Sequence, residues 1–212
     1  MLIELATAAL ICLDPGHGTA PAVGRQTEPI GPGSRVTKIK DGGGAPGEAS
    51  VALAIARRTR TLLLAEGFRV AMTRTTTGYE GGNVARARFC NARRAALMVR
   101  IHADGSTDPA LHGVSTLFPA YHRGWTDDVY SPSLRAARLV EQEVAAATGA
   151  TALRIVRRSD LTGFNWADVP VVLLEAGFVS NPSERARLES ARYQSRVARG
   201  LAAAARRFVN HS

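Results

Sequence analysis

The sequence predicts an α/β domain, a sheet covered by helices, on three observations. Short apolar runs alternate with longer amphipathic stretches along the whole chain; hydrophobic residues make up 45% and charged residues 21%, as in an ordinary globular core; and no internal repeat or Ser/Thr/Pro linker divides the 212 residues. A chain of that length is served by one hydrophobic core, so residues 1–212 are expected to form one domain.

The first apolar stretch, Leu2 to Leu13, contains Glu4, lacks a basic leader and runs straight into the string LDPGHG. It reads as a first strand, Ala8–Leu13, rather than a signal peptide, and an exported protein would have had its leader removed or replaced. Gly18–Gly47 is crowded with Gly and Pro, has no sustained period and reads as a long surface loop. Glu48–Ala65 carries apolar residues at Val51, Ile55 and Leu62 and stops before Gly67, the pattern of an amphipathic helix with its terminator. Strands follow at Phe68–Thr73, Leu97–Ile101, Gly113–Phe118, Leu153–Val156 and Val171–Glu175. Further helices are expected over Asn83–Ala95, Ser133–Ala147 and Ala191–Val209.

A formal charge of +9 implies attraction to polyanions. The arginines lie in alternating Ala/Arg helical stretches (Arg57, Arg58, Arg60; Arg185, Arg187; Arg206, Arg207) without an aromatic-rich basic ladder, so they read as solvated helix faces and nucleic acid is not an expected partner. No run of eighteen apolar residues exists, so no membrane span is expected. Two cysteines, Cys12 and Cys90, leave open a pair of buried thiols or one disulfide, which export would permit.

The chemistry lies at the strand ends. His17 follows Ile11–Leu13 through a tight Asp-Pro-Gly turn, His102 follows Leu97–Ile101 directly, and Glu175 ends VVLLE. Side chains just past the carboxyl ends of strands in an α/β sheet gather in one crevice, and Glu48, opening its helix, can point at the same edge. Two imidazoles and a carboxylate form a usual first shell for catalytic zinc, and a second carboxylate can move the proton of a nearby water. His17, Glu48 and His102 are therefore candidate metal ligands and Glu175 the candidate base. The first three have plainer readings, surface or hydrogen-bonded histidines and a glutamate complementing a helix dipole; Glu175 is harder to dismiss, because an unpaired carboxylate ending a buried strand is costly. His112, His122 and His211 read as solvated residues.

The strings ICLDPGHG, GEASVALAIA, RIHADGS followed by GVST, and VPVVLLEAGFVSNPSE resemble, in order, the blocks of the zinc-dependent N-acetylmuramoyl-L-alanine amidases of the bacterial cell-separation type. The likeness covers nearly the whole chain. It implies a mixed sheet of about six strands with helices on both faces, one catalytic domain, a single zinc on His17, Glu48 and His102, Glu175 as catalytic glutamate, and peptidoglycan or muropeptide fragments as partners of an exported enzyme; a monomer is expected. Glu28, in the glycine-rich stretch, is a rival ligand without a following helix to hold it. The stretch between His102 and Glu175 leaves no room for the blocking helix of members that need an activator, so the groove is expected to be open, as in the small mycobacterial amidases without a wall-binding module. Asp14 and Asp104 are candidate partners for the imidazoles, although Asp104 suits a turn with Gly105 equally well. Arg157, Arg158 and Asn165 are candidate contacts for stem-peptide carboxylates.

Overall fold

A computed structural model describes residues 8–210. In chain order the elements are β1 (Leu10–Pro15), α1 (Pro21–Gly24), β2 (Thr27–Pro29), β3 (Thr37–Ile39), α2 (Glu48–Ala65), β4 (Arg69–Met72), α3 (Asn83–Asn91) and β5 (Leu97–His102). The second half contributes β6 (Val114–Pro119), α4 (Tyr130–Thr148), β7 (Ala152–Arg158), α5 (Thr162–Asn165), β8 (Val171–Glu175), α6 (Pro182–Glu189) and α7 (Ala191–Asn210). The beginning of the expected first strand's apolar run, residues 2–7, and His211 lie outside the described residues.

Six strands form one mixed sheet in the order β4-β1-β5-β8-β6-β7. The first four run parallel, β6 pairs antiparallel with β8, and β7 is parallel to β6. Central strands are buried on both faces, which explains their near-continuous apolar runs. Alternation sends Ile11, Leu13, Val99, Ile101, Val172 and Leu174 into a core shared with α2, α4 and α7. Their neighbours Leu10, Cys12, Met98, Val171 and Leu173 enter a smaller core on the opposite face, where Cys90 of α3 and Phe164 of α5 meet them. On the larger face α7 crosses close to α4 at Gly200, where a Cβ would stand 2.6 Å from the Val144 Cα.

Several boundaries differ from those expected. The helix ending at Asn91 rather than Ala95 does so because Arg94 takes a left-handed conformation, φ 48°, that turns the chain into β5. The helix expected from Ser133 begins at Tyr130, and its Pro132 sits in the first turn, where no intrahelical N–H is needed. An extra helix, α6, precedes α7; the Asn181 side chain caps it by accepting from the backbone N–H groups of Ser183 and Glu184 at 3.0 and 3.1 Å.

The largest correction concerns Gly18–Gly47, which holds α1 and a two-stranded antiparallel hairpin, β2–β3. The indole N–H groups of Trp125 and Trp166 donate to the carbonyls of Pro32 and Pro29 at 3.0 and 2.9 Å, and Asn165 Nδ2 donates to Ile30. Lys38 reaches across to Asp160 at 3.0 Å. The hairpin is thus fastened to the body by side chains 93 to 137 residues away in sequence. Of the two states left open for the cysteines, the disulfide is the one formed: Cys12 and Cys90 are bonded, tying β1 to α3.

Candidate active site

Because β1, β5 and β8 are parallel neighbours, their carboxyl ends share one edge of the sheet. His102 and Glu175 are register partners there, and His17 follows two residues past the end of β1. Glu48, the first residue of α2, comes to the same edge.

The backbone around His17 is held by buried arginines. His17 adopts a left-handed conformation, φ 57°, costly for a residue with a Cβ. Arg74 donates to the carbonyls of Pro15, Gly16 and Ala49 at 2.9, 2.7 and 2.7 Å, and Arg86 donates to those of Pro15 and His17 at 2.9 and 2.6 Å. Gly16 is required because a Cβ there would fall 2.4 Å from the His102 ring.

Glu48 Oε1 lies 3.2 Å from His17 Nε2 and 3.0 Å from His102 Nδ1, while its Oε2 accepts from the Ala45 N–H at 2.8 Å. The two imidazoles stand edge to face, with centroids 4.8 Å apart. One donor atom from each of the three residues lies within 4.8 Å of the others. Ligand atoms of a tetrahedral zinc with bonds of ~2.0–2.1 Å stand roughly 3.3 Å apart, so this donor set and spacing suit a small divalent cation. Two buried polar atoms here, His102 Nε2 and Glu175 Oε2, have no hydrogen-bond partner among the described residues, the kind of residual polarity a bound group would satisfy.

Burial alone would lower the pKa of His17, but hydrogen bonds to Asp41 and Glu48 raise it to about 9. His102, more deeply buried, is pushed down by desolvation despite Glu48. Burial works to raise Glu48, and the hydrogen bonds from His102 and His17 outweigh it, so the carboxyl stays well below the usual range. Glu175 goes the other way: burial first, then the negative charges of Asp104 and Glu48, lift it well above an ordinary carboxyl. The two carboxyls of the site are thus shifted in opposite directions.

Around these groups runs a groove of about 470 Å³, with His17, Glu48 and His102 at one end and Leu117, Arg158 and Leu173 along its floor and wall. Not every candidate residue reaches it. Arg158 does, whereas Arg157, its neighbour on β7, lies on the opposite face of the sheet beside Tyr130 and Arg138. Asn165 is buried and spends its amide on the carbonyls of Ile30 and Ser159. Asp14 is fully buried between Arg86 and Arg100, at 2.8 Å from each, and supports the turn rather than an imidazole. Asp104 lines the groove, but its side chain accepts from Gly105 N–H at 2.7 Å, as the turn reading had it. Glu28 is apart from the cluster; it sits on β2 and accepts from the first N–H groups of α3, Asn83 and Val84, at 2.7 and 3.2 Å. His112 hydrogen-bonds the Ala110 carbonyl and His122 stacks on Trp125, both away from the groove. The partner of His17 Nδ1 is Asp41, at 2.6 Å. That residue was missed in the sequence because it sits in the run KDGGG, where only a turn is signalled.

An α/β domain that gathers two imidazoles and two carboxylates at the carboxyl ends of adjacent parallel strands and the start of a helix has the makings of a metal-assisted hydrolase. The chain belongs to the N-acetylmuramoyl-L-alanine amidase family: the family model of that description matches residues 11–207. It is 31% identical to the N-acetylmuramoyl-L-alanine amidase Rv3717 of Mycobacterium tuberculosis, over 91% of this chain and 85% of that protein. It is 29% identical to the amidase AmiC of Neisseria meningitidis, over 96% of this chain but 53% of that longer protein. Among solved structures, the N-acetylmuramyl-L-alanine amidase Ami1 of Mycobacterium smegmatis superposes with a TM-score of 0.86 at 29% identity, covering 97% of this chain and 99% of that one.

Proposed function

We propose that this chain, as one catalytic domain, hydrolyses the amide joining N-acetylmuramic acid to the L-alanine of peptidoglycan stem peptides, with zinc held by His17, Glu48 and His102. The observation that carries the reading is Glu175: a buried carboxyl in register with His102 at the sheet edge, with a raised pKa and an oxygen that has no partner among the described residues. Imidazole and carboxylate donors in a set of three favour zinc among the common divalent ions. Zinc, when bound, supplies a Lewis acid for the scissile carbonyl and brings the pKa of water at the site toward neutrality.

The chain's own groups do the rest. Glu175 takes the proton of the water that adds to the lactyl carbonyl carbon and returns it to the L-alanine nitrogen as the C–N bond breaks. Asp41 fixes the tautomer and orientation of the His17 ring. The groove is lined by strands and loops apart from Glu48 at the tip of α2, and this supports activity without a separate activator. The buried Cys12–Cys90 disulfide supports an exported location, since such bonds persist in oxidising compartments. No helix among the described residues is long and apolar enough to cross a membrane.

The test is mass analysis of products from purified muropeptides incubated with the zinc-loaded protein. Separated sugar and intact peptide are expected; peptide fragments would make it a peptidase, and unchanged substrate would leave a binding protein. Glu175→Gln is expected to keep fold and zinc while turnover falls by about 10²–10⁴. A loss of only a few-fold would remove Glu175 as the proton carrier.

A further inference from the structure

The groove continues past Glu175 over the outer part of the sheet, along one face of β6 and β7. A branch of about 200 Å³ there shares Asp104 and Glu175 with the main groove and is lined by Ser115 and Leu117 of β6 and by Arg154, Val156 and Arg158 of β7. Strand alternation places these residues on one face. Leu117 and Val156 give an apolar floor, and two guanidiniums four residues apart, ~13 Å along an extended strand, flank it.

The two arginines are not equivalent. Arg158 is already matched, its guanidinium donating through Nε and a terminal nitrogen to Asp160 at 2.7 and 2.8 Å. Arg154 is exposed and has no ion pair among the described residues. Register places Arg154 beside Ser115, which in turn faces Glu175 across the antiparallel pair. The branch thus has an acidic end at Glu175 and Asp104 and an uncompensated positive charge on its other wall. A ligand fits this polarity if its reacting amide sits at Glu175 and a carboxylate lies further out. In the substrate proposed above, the lactyl carboxyl is consumed in the scissile amide, so free carboxylates belong to the peptide side.

We propose that Arg154 is a specificity-determining residue that pairs with a free carboxylate of the stem peptide, so that the chain prefers acidic stem peptides to those whose carboxylates are amidated. This rests on the amidase reading. Two muropeptides that differ only in whether the peptide carboxylates are free or amidated are compared by kcat/KM with the zinc-loaded wild type, Arg154→Ala and Arg154→Lys. The wild type is expected to favour the free acid. Arg154→Ala is expected to reduce the acid-to-amide ratio about tenfold through the KM of the free acid, with partial recovery in Arg154→Lys, as for loss of a hydrogen bond to a charged group. A wild type without preference, or a ratio unchanged in Arg154→Ala, would overturn the role of Arg154 while leaving the amidase reading intact. Failure of the wild type to cleave either substrate would overturn both. Because Arg154 is exposed, thermal unfolding of the variants is expected to match the wild type, separating a lost contact from a lost fold.

Discussion

His17 shows how much of the candidate site depends on groups that touch no substrate. Its left-handed backbone is secured by carbonyl contacts to Arg74 and Arg86, and its ring is aimed by Asp41 at 2.6 Å. If Asp41 orients a ligating imidazole, Asp41→Ala should weaken zinc binding about 10–100-fold, read by competition against a chelator, while the fold persists. Unchanged affinity would mean that Glu48 alone sets the ring. That His17, His102 and Glu175 would converge was legible because each directly follows an apolar run, and parallel strands bring such ends together. Asp41 was hidden in a glycine-rich turn, and Arg74 and Arg86 were not legible because a side chain that reaches a carbonyl across 58 or 69 residues leaves no local pattern.

At the level of elements, the sequence marks what has a period and hides what is held from outside. The main strands and long helices follow from alternation and amphipathic spacing, but the hairpin β2–β3 has too few residues to show either. A strand read only as Leu153–Val156 also leaves Arg157 and Arg158 as equals, whereas continuing it to Arg158 puts them on opposite faces. Glu28 joins the hairpin to the body: it is 6% exposed and supplies the acceptor that Gly82, at the N-terminus of α3, lacks. Glu28→Ala should therefore cost about 1–2 kcal/mol, in the range of a lost helix cap. Urea unfolding gives the cost, and hydrogen exchange should rise in the hairpin and the first turn of α3 together. Faster exchange confined to one of them would show that Glu28 does not couple the two.

Across the whole molecule the sheet is covered unevenly, and the disulfide lies on the thinner side. α2, α4 and α7 pack a large apolar core on one face, whereas α3 and α5 cover the other with a smaller one, beside which the groove runs along β6 and β7. Cys12 and Cys90, both fully buried, span 78 residues and fasten α3 to β1 next to the strand whose end carries His102. Closing so long a loop restricts the unfolded chain, so replacing both cysteines by Ala should destabilise the domain by about 2–4 kcal/mol. In a domain of this size that lowers Tm by roughly 4–16 °C. The loss should also be uneven: amide protection should fall in α3 and the turn around His17 before it falls in α7, because α7 is held by the larger core. Thermal unfolding and hydrogen exchange of the Cys12→Ala/Cys90→Ala protein check both points. An unshifted Tm, or protection lost evenly over both faces, would show that packing alone holds α3 in place and that the crosslink adds nothing to the support of the site.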